Sequence, residues 1–317
     1  MTCLPFWMLL AAPAVAGDAP PPVTHYQAMT GTPLAADPPA STELAMATDS
    51  YERMTVPVRL GNNGPYRFLV DTGSDRTSLS AALARKLGLA ERPGALLHSA
   101  TGRSEVRIAY LPELQTGRRA VRHINAPLLE AADMGADGIL GIDSLRSQRI
   151  VFDFANQSLS IHSDKAPAGL EEGAILVRAR RREGRLVITD AEVDGERVSV
   201  VIDTGSSLTI GNAALRRKLD RRGRVESLRS IDLISVTGAA LRGELANVRS
   251  LEIGGARLEG LTIVFADAHT FGQLDLERKP ALLLGMNALR GFDQVAIDFA
   301  GKTLLLVLPK ERKPVRG

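Results

Sequence analysis

Two aspartates in this chain sit in the same local setting. Asp71 ends the apolar run Phe68-Leu69-Val70 and opens Asp71-Thr72-Gly73-Ser74. Asp203 ends Val200-Val201-Ile202 and opens Asp203-Thr204-Gly205-Ser206. A strand that delivers an Asp into a tight turn holds its carboxylate on a rigid base. Gly73 and Gly205 allow backbone geometry that a Cβ would resist, and let another segment approach closely. Thr72, Ser74, Thr204 and Ser206 set hydroxyls beside the carboxylates. One such turn is a weak signal, because Asp-x-Gly is common in turns. Two of them on equivalent elements can face each other across a pseudo-two-fold axis, as in an isologous interface. Two neighbouring carboxylates cannot both ionise easily, so they share a proton. The ionised member can then take a proton from water while the protonated member donates to a developing oxyanion. Such a pair titrates as a unit, and the sequence assigns neither role to either aspartate.

The elements that must position these turns form an internal repeat. Ala81-Ala82-Leu83 follows Asp71 at the same distance as Ala213-Ala214-Leu215 follows Asp203, and Lys86-Leu87 matches Lys218-Leu219. Both stretches read as a short helix, opened by Ser80 or Asn212 as N-cap. Each copy then carries a Thr-Gly pair in a hairpin-like stretch, Ser99-Ala100-Thr101-Gly102 and Ser235-Val236-Thr237-Gly238. Each reaches an apolar run ending in Gly, Gly138-Ile139-Leu140-Gly141 and Leu282-Leu283-Leu284-Gly285. Each closes with a strand pair around a turn, 150–161 and 295–306. Short runs of Val, Leu, Ile and Thr between Gly, Asn and Asp make the texture β-rich. The expected organisation is a signal peptide over 1–16, a Pro-rich linker over 17–42, an N-terminal lobe over 43–163, an inter-lobe linker over 164–173, a C-terminal lobe over 174–309 and a basic tail over 310–317.

Composition excludes several alternatives. The 317 residues carry a net charge of +3, and the basic clusters have no interleaved aromatic residues to stack on bases, so nucleic acid is not an expected partner. Cys3 is the single cysteine, so no intrachain disulfide and no cysteine-based zinc site can form. The five histidines have no metal-ligand spacing, and neither metal nor cofactor is expected. Leu4 to Leu10 is apolar and runs into Ala14-Val15-Ala16, a small-x-small cleavage pattern, although no Lys or Arg precedes it. Cleavage after Ala16 would remove Cys3 and leave a cysteine-free chain suited to a periplasmic or secreted location. The stretch is short for a membrane span, so none is expected after cleavage. Residues 17–42 read as a spacer, with a prosegment as the alternative.

The double motif resembles the clan of aspartic peptidases that includes retropepsins and pepsins. It is most similar to bacterial retropepsin-like proteins, here with two units in one chain. The carrying residues are Val70-Asp71-Thr72-Gly73-Ser74, Ile202-Asp203-Thr204-Gly205-Ser206, Ile139-Leu140-Gly141 and Leu283-Leu284-Gly285. The resemblance implies a mainly β fold, with two homologous closed β-barrel lobes about a pseudo-two-fold axis and one short helix per lobe. It implies that Asp71 and Asp203 are the catalytic dyad, and that Thr72 and Thr204 lock the two turns together. By the same resemblance Ser74 and Ser206 support the carboxylates, and Gly73 and Gly205 lie along the substrate backbone. The hairpins around Gly102 and Gly238 resemble flaps. Asp75 matches a retropepsin position that contacts substrate backbone, whereas the second copy has Ser207, so the two halves of the cleft should differ in polarity.

The resulting expectation is an aspartic endopeptidase acting on protein or peptide as a monomer, its pseudo-dimer built within one chain. A non-catalytic peptide-binding module with the same fold is the alternative. A third reading makes both turns purely structural. The first S1 pockets to consider lie near Arg103–Ile108 and Ala239–Leu241.

Overall fold

A computed structural model describes residues 53–162 and 173–309, apart from Arg118, Arg146 and Ser147, together with Asp49 and five short strands upstream of it. Most of the predicted signal peptide and Pro-rich linker, almost all of the inter-lobe linker, and the basic tail lie outside the described residues.

The molecule is mainly β and consists of two repeated barrel-like units. In the first, Met54–Leu60 and Asn63–Val70 form a hairpin whose second strand ends at the Asp71 turn. Gly138–Leu140 lies parallel to that strand, with Ile139 opposite Leu69, and antiparallel to Ser78–Ser80. The second unit repeats this. Ser199–Ile202 ends at the Asp203 turn, Ala281–Leu284 lies parallel to it, and Thr209–Gly211 pairs with Ala281–Leu284 in the antiparallel sense. A strand buried on both faces reads as a continuous apolar run rather than an alternation. That accounts for Ala281-Leu282-Leu283-Leu284, all of it buried.

Helices are short. In chain order they are α1 Ala81–Lys86, α2 Ala131–Met134, α3 Ile142–Leu145, α4 Ala213–Asp220, α5 His269–Gln273 and α6 Met286–Leu289. The sequence repeat anticipates α1 and α4 with their caps. Ser80 Oγ accepts from Leu83 N–H and Asn212 Oδ1 from Leu215 N–H. The single helix expected per lobe is corrected to three. The other two in each lobe are one-turn segments, too short to show helical periodicity in sequence.

The two closing hairpins do not stay in their own lobes. Arg149–Asp153 pairs antiparallel with Gln294–Asp298, so one six-stranded sheet runs across both units. Its remaining strands are Ser158–His162, Thr303–Val307, Ala174–Arg178 and Ser41–Ala45. Ile150, Phe152, Val295 and Ile297 are fully buried beneath it.

Candidate active site

Each aspartate is fixed by the strand that underlies it. Asp71 N–H donates to Leu140 O at 3.0 Å, and Asp203 N–H to Leu284 O at 3.1 Å. The glycines after those apolar runs are there for close approach. A Cβ on Gly141 would lie 2.4 Å from the Arg76 backbone, and one on Gly285 would lie 2.4 Å from Leu208 O. Within each turn, Gly73 N–H donates to Asp71 Oδ1 at 2.7 Å and Gly205 N–H to Asp203 Oδ1 at 3.1 Å.

The threonines lock the turns together. Thr72 N–H donates to Thr204 Oγ1 at 3.0 Å, and Thr204 N–H to Thr72 Oγ1 at 3.1 Å. The hydroxyls pass their own protons onward, Thr72 to Ile202 O and Thr204 to Val70 O. Every donor in this reciprocal set has an acceptor in the opposite lobe. The Asp71 carboxyl therefore lies directly against the opposite turn, where a Cβ on Gly205 would be 2.3 Å from its Cγ. The serines act differently from expectation. Ser74 Oγ donates to Arg76 O and Ser206 Oγ to Leu208 O, so the hydroxyls brace the turns. It is the backbone N–H groups of Ser74 and Ser206 that favour the ionised carboxylates.

Burial dominates the electrostatics. It raises Asp71 to about 6, opposed by the Gly73 N–H and by the charges of Arg185 and Arg53. Asp203 is pushed well above the ordinary range by burial and by the neighbouring Asp71. Asp203 Oδ2 is buried and has no hydrogen-bond partner among the described residues. A native structure seldom buries such an atom without reason.

A buried cation, missed by the sequence reading, completes the site. Arg185 is 0% exposed and comes from the second unit. Its Nε and Nη2 donate to Gly73 O, and its Nη1 pairs with Asp75 Oδ1 at 3.1 Å. Asp75, placed by resemblance on the substrate side, is therefore also an ion-pair partner. Burial raises it to about 7. The internal repeat held a signal for this residue. Arg53 and Arg185 each lie 18 residues before their aspartate, and both are fully buried. Arg53 is gripped by Asp49 Oδ2 at 2.6 Å and 2.9 Å.

Both hairpins expected to act as flaps are present as hairpins. The first is Glu91–Ser99 with Gly102–Thr116, turning through two residues at Ala100-Thr101. The second is Glu226–Ser235 with Ala240–Ile253, turning at 236–239 with Gly238 at φ +77. Their tips touch, with Thr101 Oγ1 donating to Ser235 Oγ at 3.2 Å. Each tip also seats in the opposite unit. Ala100 joins a buried cluster with Val201, Leu283 and Phe271, and Val236 joins one with Leu69, Ile139 and Met134. Val106 and Leu241, from the expected pocket regions, pack against those same two clusters. Upstream, the Trp7–Met8 strand lies parallel to the first flap at His98 and Ser99, and Leu10–Ala11 lies antiparallel to the second at Ser235 and Ile234.

A family model described as aspartyl protease matches residues 56–144 and 189–288, the two regions that carry these turns. The chain belongs to the aspartyl protease family. Both matched regions contain one Asp-Thr-Gly-Ser turn. No curated protein matches the chain. Membership in a protease family implies peptide substrates. Among the described residues, no group of three or more His, Cys, Asp or Glu is placed to hold a metal ion, and no helix is long and apolar enough to cross a membrane.

Proposed function

We propose that this chain is an aspartic endopeptidase whose dyad is Asp71 and Asp203. The observation that carries the reading is the reciprocal threonine lock, which sets the Asp71 carboxyl against the Asp203 turn in a buried setting. Burial makes the doubly ionised dyad costly, so one proton is held between two carboxyls. The ionised carboxylate takes a proton from water, whose oxygen bonds to the amide carbon. The protonated carboxyl gives its proton to the carbonyl oxygen, forming a tetrahedral diol. Collapse returns one diol proton to the carboxylate that gave it. The other carboxyl protonates the amide nitrogen as the C–N bond breaks. The flaps bury this chemistry, and Asp75 and Ser207 give the two cleft halves different polarity.

The same reading makes the protein a monomer, exported to a periplasmic or extracellular location by residues 1–16. It is tested by incubating the full chain with a peptide library across pH, with and without a statine-type inhibitor that mimics the tetrahedral intermediate. Cleavage blocked by the inhibitor is expected. A folded protein that binds peptides and cleaves none is a binding module instead.

A further inference from the structure

We infer that Arg185 is a positioning residue that makes Asp71 the ionised, proton-accepting member of the dyad and leaves Asp203 as the proton donor. The inference rests on the peptidase reading and assigns the roles within it.

The geometry is one-sided. Arg185 belongs to the second unit but places its guanidinium on the turn of the first. Two of its nitrogens meet Gly73 O, two residues from Asp71, and a third meets Asp75. The same glycine gives its N–H to Asp71 Oδ1. A fully buried cation needs an anion close by, since an uncompensated charge in the interior is strongly unfavourable. Asp75 is the nearest carboxylate, but burial raises it to about 7, so below neutrality it holds its negative charge only in part. The dyad shares that role, and of its two carboxyls Asp71, whose own turn Arg185 contacts, interacts with the guanidinium more strongly than Asp203 does.

The equivalent arginine does not cancel this bias. Arg53 is held by Asp49 through a two-point ion pair, both side chains fully buried, so its charge is locally compensated. What field Arg53 retains also favours ionised Asp71. Asp203 also feels the charge of Arg185, but the neighbouring Asp71 charge opposes its ionisation more strongly. The orphaned Asp203 Oδ2 suits a carboxyl that carries a proton outward as a donor.

The experiment is a carboxyl-carbon NMR titration of the full chain labelled at aspartate, with resonances assigned through D71N and D203N, beside pH profiles of kcat/KM. In the parent, the first dyad ionisation is expected at Asp71, with an acid limb near 6. In Arg185→Gln, that ionisation and the limb should move up by at least about one unit, roughly tenfold in ionised fraction at a pH below the limb. Arg185→Lys keeps the charge, so its limb should stay near the parent's even if kcat falls through lost geometry. A folded R185Q with the parent's limb and first ionisation overturns the proposal. If R185Q does not fold, the parent titration decides alone, since a first ionisation at Asp203 overturns it equally. A parent that cleaves nothing, yet ionises first at Asp71, overturns the peptidase reading and leaves the electrostatic assignment standing.

Discussion

The two units share a scaffold and differ in where they keep charge. Thr77 in the first and Thr209 in the second do the same structural work, each giving N–H and hydroxyl to a residue two places after the glycine that ends the apolar run. In the first unit that residue is Asp143, in the second Asn287. The same substitution of charge by a neutral group recurs at Asp75 and Ser207. It recurs again on the flaps, where His98 in the first stands where Ile234 stands in the second. The hydrogen-bonding frame is thus duplicated, whereas at these three positions the ionisable group stands in the first copy only. The repeat builds the site, and the departures from it make its two halves electrostatically unequal.

The strongest way to break this comparison is at the aspartates. Asp71→Asn and Asp203→Asn should each lower kcat/KM by about 10³-fold or more. Both carboxyls have folded pKa values raised above the unfolded value. Their contribution to stability is therefore present in acid and lost as pH rises through the folded values. Both variants should accordingly melt higher than the parent at neutral pH, with the larger gain for Asp203→Asn. A lower Tm for both would show that the burial assignment is wrong.

The threonine lock should respond symmetrically. Thr72→Ala and Thr204→Ala each leave a buried N–H of the other turn unsatisfied, at a cost of about 1–3 kcal/mol. Denaturant unfolding should give the two variants similar losses. A marked inequality would place the interface energy in one unit only.

A smaller effect is expected where the copies diverge. Asp143 is raised by burial, against its bonds from Thr77, so its ionisation weakens the fold as pH rises. Asp143→Asn should remove part of that alkaline loss of Tm, and Asn287→Asp should introduce it into the second unit. Parallel melting curves at pH 5 and pH 8 would separate the two outcomes.

The smallest effect is expected at the first flap. His98 Nδ1 and His269 Nε2 lie 3.2 Å apart, the backbone N–H of His269 donates to Ala100 O, and Gln273 Nε2 lies 3.0 Å from His269 Nε2. Burial and the charge of Arg103 lower both imidazoles. Groups lowered in this way contribute stability above the ordinary histidine range, and it is lost as pH falls through the folded values. One imidazolium can still donate to one imidazole; two cannot pair. Amide protection around Ala100, corrected for intrinsic exchange, should drop in acid, and His269→Gln should flatten the drop. The flap tip at Val236 has no histidine to follow that change.

Much of this was legible in the chain. The paired Asp-Thr-Gly-Ser turns, the capped helices α1 and α4, the apolar-Gly runs and the flap hairpins all recur in register, and local periodicity reveals them. The serine hydroxyls were misplaced because a motif gives residue type but not rotamer, and Arg76 O and Leu208 O are nearer acceptors. The six-stranded sheet was hidden because its central pairing joins strands of different units, and neither hairpin announces its neighbour. Arg185 was hidden for the same reason, since its partners Gly73 and Asp75 lie in the other unit. The unfoldable-looking choice of a buried arginine is noticed only when Arg53 is set beside it.

The inequality of Asp75 and Ser207 has a further consequence. A polypeptide has a direction, from amino to carboxyl end, and a perfectly two-fold site does not. A cleft made of two identical halves must accept a chain equally well in either orientation. A chain that encodes each half separately is free of that degeneracy. On the proposed peptidase reading, with Asp75 toward one end of the cleft and Ser207 toward the other, the two orientations of one peptide become different complexes, with different affinities and different alignments over the same pair of carboxyls.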